Sequence, residues 1–390
     1  SEGLKTLRVE VRGDEMSYPI IPIDGSKQIE ISFDALGHDY ERFTYTIEHC
    51  NADWRPSQLL PVEYLDGLQG LNIDNYSQSM TTATLYTHYS LLLPNADCKL
   101  KVSGNYAVHV FREGDPEDTL LTACFSVLEP GVNVMAGVTG NTLSDFNGAH
   151  QQVGFTLSAN RLRIDYPQSD LKLFVTQNRR LDNAVTGLSP TRVGGGQLVY
   201  DPERSLIFTA GNEYRRFESL SHEYNGMGVD NIRFFNPYYH VTLLPEKPRT
   251  VYRYDQDQDG RFFVRCSSCN DPTVEADYDF VHFTLVTPEL KGGSVYLLSD
   301  VLNNRLDNDS RMEYDPQRGA YVKHLLLKQG NYNYMYLFVP DGQRQGETAP
   351  LEGDFYETEN EYAIYVYYHP FGARYDRFVG FGLVKAGVPR

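Results

Sequence analysis

The stretch NYAVHV, residues 105–110, alternates apolar and other side chains in a way that indicates the fold. In an extended strand, Tyr106, Val108 and Val110 point to one face, and the residues between them point to the other. The next apolar stretch, LTACFSV at residues 121–127, has the same period of two. Alternation over runs of this length is typical of half-buried β-strands.

The same period recurs along the chain, whereas the helical period of 3.6 residues is nearly absent. Glycine, proline and acidic residues separate the alternating runs. Further runs lie at residues 28–33, 42–48, 151–157, 171–177, 197–208, 250–254, 261–266, 280–286, 294–298, 321–327, 332–339 and 362–368. We expect 250–254 and 261–266 to pair as a hairpin. Many short strands with turn residues between them predict an all-β protein of tandem immunoglobulin-like β-sandwich domains.

The length of 390 residues exceeds one ordinary hydrophobic core and predicts several domains. The turn-forming residues 129–131, Glu-Pro-Gly, end the first block of strands. A polar stretch at 267–277, which includes Pro272, separates the second block from the third. We therefore expect β-sandwich domains at residues 1–130, 131–268 and 269–390.

The composition is acidic, with 52 Asp and Glu against 35 Lys and Arg and a formal net charge of -17. A field of this sign repels phosphate groups and anionic lipids, so we do not expect nucleic acid as a partner. No apolar run approaches the ~20 residues that a membrane-spanning helix needs, so we expect no direct membrane insertion. The sequence begins at Ser1, and either an export signal has been removed or it lies outside this sequence.

The clearest metal-binding pattern is DQDQDG, residues 255–260. Asp255, Asp257 and Asp259 occupy alternate positions ahead of a glycine, as in the front half of a calcium loop. However, the twelfth position is Cys266 rather than a bidentate glutamate, and strands replace the flanking helices. We expect an acidic hairpin turn and no cofactor, with calcium at the three aspartates as the alternative.

The five cysteines are too sparse for a disulfide-built scaffold, and their odd number leaves at least one without an intrachain partner. Cys266 and Cys269 have the spacing of a redox or half-zinc site, but they follow a strand rather than begin a helix. We expect either a local disulfide or two free thiols, without activity. Because the sequence contains no complete catalytic motif, it predicts a binding protein rather than an enzyme, with no small-molecule ligand.

The stretch HCNADW, residues 49–54, follows a strand and holds the only tryptophan of the chain. His49, Asp53 and Trp54 are of the residue types that form binding sites. The alternative is that His49 and Asp53 cap and brace a loop.

A second candidate surface consists of Tyr332, Tyr334 and Tyr336, which line one face of a predicted strand. Tyrosine is enriched at protein interfaces, so this face is a candidate partner surface. The alternative is packing against a neighbouring domain.

Several short motifs resemble one protein family. HCNADW is followed by Pro-Ser at 56–57, NYS at 75–77, YTHY at 86–89 and SGNY at 103–106. Later similarities are QN at 177–178, GNE at 211–213, KQG at 328–330, NY at 333–334 and ETEN at 357–360. The chain thereby resembles the type 9 secretion plug proteins of Bacteroidota, formerly a domain of unknown function. The resemblance implies a periplasmic protein that docks on the outer-membrane translocon and closes its pore, without catalytic residues.

The third predicted domain also resembles early-set immunoglobulin modules that bind starch or glycogen. The similar stretches are VYL at 295–297, MEYD at 312–315 and GNYNY at 330–334. In those modules tryptophans stack on sugar rings, and this domain contains none. A glycan-binding or glycan-processing accessory protein of the cell envelope is therefore the alternative function.

Overall fold

The computed structural model describes residues 3–159 and 162–387, and within them the protein is almost entirely β. Helix in these residues is limited to short turns. These are α1 (Pro61–Tyr64), α2 (Pro167–Asp170), α3 (Pro272–Glu275) and the 3-10 turns Arg204–Leu206 and Asp300–Leu302. None of the described helices has the length and apolar character needed to cross a membrane. The all-β prediction is confirmed.

The first unit comprises strands β1 to β11, which form two facing sheets and a short ribbon. The strands are β1 (Leu4–Val11), β2 (Ile20–Pro22), β3 (Ile29–Leu36), β4 (Phe43–Cys50), β5 (Leu65–Gly67), β6 (Leu71–Asn72), β7 (Asn75–Gln78), β8 (Tyr86–Leu93), β9 (Cys98–Leu100), β10 (Gly104–Arg112) and β11 (Thr119–Leu128). The strand order is β1-β3-β8-β7 in one sheet and β2-β11-β10-β4-β6 in the other. One hydrophobic cluster fills the space between them, where Phe33 meets Phe43 edge-on at 5.4 Å.

The rest of the chain forms two further units. The next strands are β12 (Asn133–Thr139), β13 (His150–Ser158), β14 (Leu171–Gln177), β15 (Val185–Thr186), β16 (Arg192–Gly194), β17 (Gln197–Tyr200) and β18 (Ile207–Thr209). They are followed by β19 (Arg215–Ser219), β20 (Val229–Phe235), β21 (Tyr238–Leu243), β22 (Phe262–Val264), β23 (Tyr278–Val286), β24 (Gly293–Leu298), β25 (Glu313–Asp315), β26 (Ala320–Lys328) and β27 (Gly330–Pro340). The chain ends with β28 (Glu361–Tyr368) and β29 (Arg377–Lys385).

The second unit combines β12 to β18 with β28 and β29, and the third unit, β19 to β27, is inserted between them. β14 pairs antiparallel with β28 from Leu171 opposite Tyr368 to Gln177 opposite Tyr362. The predicted domain boundary at 268/269 would place these two paired strands in different domains, so it requires correction. Strand partners so distant in sequence leave no mark on local periodicity.

The predicted hairpin of 250–254 with 261–266 does not form. β22 pairs instead with β27, and 251–258 has no strand structure. The expected tight bend is present, because the amide of Arg261 donates to the carbonyl of Gln258 (3.2 Å) and Asp259 and Gly260 have φ of 52° and 87°. A side chain at position 260 would also lie 2.9 Å from the ring of Tyr214, so glycine fits there for two reasons.

Buried ion pairs join the units. Lys328 of the third unit lies 2.7 Å from Asp34 of the first, and both side chains are almost fully buried. Arg261 of the third unit lies 2.8 Å from Glu361 of the second. Polar contacts of this kind require defined geometry, so they fix the orientation of neighbouring units.

Candidate functional site

The HCNADW loop begins where β4 ends, and the chain turns back within four residues. The amide of Trp54 donates to the carbonyl of Asn51 (2.9 Å), and the amide of Asn51 donates to the carbonyl of Arg55 (2.8 Å). Trp54 has a φ of 62°, in the left-handed region that tight turns require. As a result Asp53 and Trp54 are exposed, and 42% of Trp54 is accessible. Asp53 stays close to the loop and accepts from the amide of Arg55 (3.2 Å).

His49 is buried beneath this loop and does not reach its surface. Its Nε2 donates to the carbonyl of Ser103 (3.1 Å), so its Nδ1 accepts from the hydroxyl of Ser57 (2.8 Å). Burial lowers the pKa of His49, which keeps the ring neutral. A side chain at Gly104 would lie only 2.4 Å from Nε2. His49 therefore braces the loop, and its prediction as a binding residue is wrong.

Asp376 fastens the loop to the second unit. Its carboxylate accepts from the amide of Ala52 and from Lys172, each at 2.9 Å, while its own amide donates to the side chain of Asn51 (3.1 Å). The Asp376 side chain is fully buried. Because the loop is held from both units, it has the fixed geometry that a binding site needs.

Large apolar side chains are exposed on the segments around this junction, and we call them the exposed rim. The rim consists of Trp54, Leu60, Val62, Tyr166 and Phe371. Phe371 is fully accessible to solvent. Exposed aromatic residues next to arginine are typical of the positions that dominate binding energy at protein interfaces.

Hydrogen bonds show that the rim segments meet. Arg374, three residues after Phe371, donates to the carbonyl of Gln58 (2.6 Å) and forms an ion pair with Glu63 at 2.7 Å. Gln58 and Glu63 flank Leu60 and Val62 in the sequence. On the other side, Asp170 accepts from the amide of Tyr166 through its carboxylate and from the amide of His369 through its carbonyl.

The tyrosine face of β27 lies inside the third unit. Tyr332, Tyr334 and Tyr336 are each at most 3% exposed, and Phe217 stacks on Tyr332 at 5.1 Å. The hydroxyl of Tyr332 donates to the carbonyl of Lys328. Those of Tyr334 and Tyr336 donate to Glu246 (3.0 and 2.7 Å). The prediction of a partner surface on this face is wrong, because the three tyrosines lie in the hydrophobic core of the third unit.

The three aspartates of the metal-binding pattern turn to different partners. Asp255 forms an ion pair with Arg216 at 2.8 Å. Asp257 accepts from the amides of Tyr214 and Asp259, and the Asp259 carboxylate lies 3.1 Å from the ammonium of Lys385. In residues 3–159 and 162–387, no three His, Cys, Asp or Glu side chains are grouped in a way that suits a metal ion. The structure thus does not bring Asp255, Asp257 and Asp259 together, and calcium binding stays an untested alternative.

Two carboxyl groups near this segment hold protons at unusually high pH. Burial, and then the charge of Asp259, raise the pKa of Asp257 to about 8. Burial raises the pKa of Glu213 to about 7, although the hydroxyl of Tyr252 donates to it at 2.6 Å. These groups therefore change charge close to neutral pH.

Cys266 and Cys269 form a disulfide, which selects one of the two predicted alternatives. Of the other cysteines, Cys50 and Cys98 are buried thiols, and Cys124 is exposed. Burial raises the pKa of Cys50 to about 12, so this thiol is inert.

Sequence reasoning identified Trp54 but missed Phe371 and Asp376. A local signal for Phe371 exists, since an aromatic residue stands between Pro370 and Gly372 after the period-two pattern of β28 has ended. No local signal exists for Asp376, because the amide that it binds lies 324 positions away in sequence.

Comparison with known proteins assigns the first part of the chain to a family. Residues 4–129 match the family described as type 9 secretion system plug protein 1st domain. No curated protein matches the chain. A crystal structure of a hypothetical protein from Parabacteroides merdae shares 55% identity and a TM-score of 0.97, over 99% of this chain and 98% of that one. Residues 4–129 therefore belong to the first-domain family of the type 9 secretion system plug proteins.

Proposed function

We propose that the protein is a non-enzymatic periplasmic plug, which binds the outer-membrane translocon of type 9 secretion and closes it while no cargo passes. Membership of the plug family associates the chain with the secretion machinery of the cell envelope. The observation that carries the proposal is the match of residues 4–129 to the first plug domain. That same unit carries Trp54, Leu60 and Val62 of the exposed rim.

The way the units are joined supports a plug. A plug that closes a wide aqueous opening must keep its shape, and here ion pairs with almost no solvent access cross the unit boundaries. Asp34 meets Lys328 between the first and third units, and Arg261 meets Glu361 between the third and second. Breaking either contact would leave a buried charge without its partner, which opposes relative movement of the units.

Two groups of serine and histidine side chains, at Ser57 and at Ser219, lack the features of an activated nucleophile. The hydroxyl of Ser57 meets His49, but the ring is buried beneath the loop, and burial lowers its pKa, which makes it a weak base. Ser219 and His222 both meet the carboxylate of Asp279, at 2.9 and 2.7 Å. A hydroxyl that donates to the carboxylate is not activated by the histidine, as a nucleophile would have to be.

The exposed rim provides the anchors for docking. Trp54 and Phe371 offer large rigid apolar surfaces at the junction of two units, where the loops carrying them are held by Asp376 and Arg374. Aromatic side chains on a fixed scaffold lose little entropy when they bind.

Co-purification tests the docking role. The full chain carries paired substitutions Trp54→Ala and Phe371→Ala, and the matched control is Met135→Ala, an exposed apolar residue outside the rim. We expect the native chain and the Met135→Ala variant to recover the translocon barrel from native outer membranes. The rim variant should recover at least about tenfold less, as expected when two anchor residues are lost. Failure of the native chain to recover any translocon component would refute the proposal.

Permeability tests the closing role. Deleting the gene should leave a translocon that leaks small molecules across the outer membrane while the secretion machinery still assembles. The native chain and the Met135→Ala variant should restore the barrier, and the rim variant should not. An intact barrier in the deletion strain contradicts the plug role and leaves a binding protein without a closing function.

A further inference from the structure

Three histidines lie on the outer face of the sheet β20-β21-β23-β26-β25 of the third unit. They come from adjacent strands: His240 from β21, His282 from β23 and His324 from β26. His282 stands directly opposite His324 in the antiparallel pair. Their strand neighbours Val241 and Val281 point into the core, so alternation directs the histidines outward.

The three imidazoles form a row with close nitrogen contacts. Nδ1 of His240 lies 2.8 Å from Nε2 of His282, and Nδ1 of His282 lies 2.6 Å from Nδ1 of His324. His282 therefore uses each ring nitrogen toward a different neighbour. The three rings do not converge on one point, in agreement with the absence of any three-residue metal cluster in the described part of the chain.

The position of the proton on each ring decides whether two facing nitrogens form a hydrogen bond or repel each other. A neutral imidazole carries one N–H and one lone pair. If Nε2 of His282 donates to His240, Nδ1 of His282 presents a lone pair directly to Nδ1 of His324. Two lone pairs facing each other at 2.6 Å repel, and the repulsion is relieved either by a proton on Nδ1 of His324 or by a metal ion beside the pair toward which both rings turn.

We propose that Nδ1 of His282 and Nδ1 of His324 together bind a first-row transition-metal ion that prefers imidazole, with His240 as the positioning residue for His282. Histidine ligands to metals usually donate their second ring nitrogen to a fixed acceptor, which sets the tautomer and the ring orientation. Nδ1 of His240 is such an acceptor in the tautomer of His240 that carries its proton on Nε2. This inference does not depend on the plug function.

The geometry requires only a small adjustment. Metal–nitrogen bonds of about 2.0–2.1 Å place two ligand nitrogens about 3 Å apart, slightly more than the present 2.6 Å. His324 is exposed and His282 is half-buried, so modest ring rotations open this gap. Both backbones belong to a paired strand ladder, which holds ligands more rigidly than loops do.

The ligand chemistry also sets the order of metal preference. Two neutral nitrogens with water in the remaining positions suit Cu²⁺, Ni²⁺ and Zn²⁺, and Cu²⁺ should bind most tightly. Calcium and magnesium prefer oxygen ligands and should not compete. This is therefore a different class of site from the aspartates at 255–259.

The proposal is tested by titrating tag-free, chelator-treated full-length protein with Cu²⁺ or Zn²⁺ and measuring the binding by calorimetry. We expect one ion per chain and at least about tenfold weaker binding for His282→Gln and for His324→Gln. His240→Gln should weaken binding less and keep the stoichiometry. The matched control is His109→Gln, a cross-strand histidine near Thr122 and Glu48, and it should bind like the native chain.

Electron paramagnetic resonance of the native chain with one equivalent of Cu²⁺ needs no variant, so the misfolding of a variant cannot affect the result. Hyperfine splitting from two ring nitrogens supports the site. A signal without nitrogen splitting, as oxygen ligands alone would give, binding that His282→Gln and His324→Gln both leave unchanged, or an equal loss in His109→Gln overturns it.

Discussion

Asp34 is a buried carboxylate and Asp257 a partly buried one, and their surroundings favour opposite charge states. Asp34 lies between the first and third units and meets Lys328 and His88, each at 2.7 Å. Burial alone would raise its pKa, but the hydrogen bond from His88 and the charge of Lys328 outweigh burial and hold the pKa below its ordinary value. Asp34 is therefore ionised throughout the neutral range.

Asp257 is only partly buried and accepts from backbone amides alone, those of Tyr214 and Asp259. Burial and the nearby charge of Asp259 raise its pKa to about 8. The difference shows that a partner cation, rather than depth, decides whether a buried carboxylate is charged. The protein thus combines a permanent ion pair between two units with a carboxyl group, away from that contact, that changes its protonation near neutral pH.

The largest effect should come from breaking the Asp34 pair. Lys328→Met leaves Asp34 buried without its main cation, and we expect the free energy of unfolding to fall by about 3–5 kcal/mol. Urea denaturation followed by circular dichroism measures this change.

Two further variants serve as controls for that loss. Lys291→Met removes an exposed lysine paired with Glu289 and should leave the denaturation midpoint unchanged. Adding Asp34→Asn to Lys328→Met should restore part of the stability, because the unpaired charge is then removed. A loss below about 1 kcal/mol in Lys328→Met would show that the pair resembles a surface ion pair.

A smaller effect, visible only as a pH dependence, should come from Asp257. Its pKa is higher in the folded state than in the unfolded chain, so the folded state holds an extra proton between these two values. Stability is then fully present below the unfolded pKa and is lost as the pH rises toward about 8, by at most about 1.4 kcal/mol per pH unit for one proton. Asp34 acts in the opposite direction, since its contribution is lost only as the pH falls below its ordinary range.

Asp257→Asn should therefore flatten the decline in stability between about pH 5 and pH 8. Its absolute stability should also shift, because an amide accepts only one of the two backbone hydrogen bonds. Thermal melts across this pH range measure the slope, and Asp255→Asn is the matched control because Asp255 pairs with Arg216 instead. An unchanged slope in Asp257→Asn would contradict the raised pKa.

Local pattern was sufficient for the strands and insufficient for their partners. The alternation at 171–177 predicted β14 with its observed ends, Leu171 and Gln177. The same reasoning predicted a strand at 250–254, where Tyr252 and Tyr254 alternate with polar residues. There the backbone bonds the side chain of Asn212 instead of a strand, and local periodicity contains no information about that contact.

In the candidate site, too, local sequence was informative for some residues and not for others. Trp54 was identified because a unique residue type stands in a loop after a strand, and such a loop is exposed by default. Tyr332 was misjudged because an aromatic face appears the same in sequence whether a partner or a second sheet covers it. The lysine that neutralises Asp34 lies 294 positions away, so the difference between Asp34 and Asp257 required the structure.

The smallest effect should come from Lys385, which makes Asp259 an intermediate case. Asp259 is buried, and its carboxylate lies 3.1 Å from Lys385 and 3.6 Å from Arg261. Burial raises the pKa of Asp259, and Lys385 opposes that shift. Lys385→Met should raise this pKa further, so the loss of stability should be small near pH 5 and grow toward pH 8. At pH 8 we expect less than about 1 kcal/mol, because the lysine side chain is 59% exposed and solvent screens its charge. Thermal melts at both pH values give the difference, and Lys385→Arg, which keeps the charge, should behave like the native chain. A loss that is equal at both pH values would mean either that Lys385 contributes through packing alone or that Asp259, like Asp34, is already ionised at pH 5.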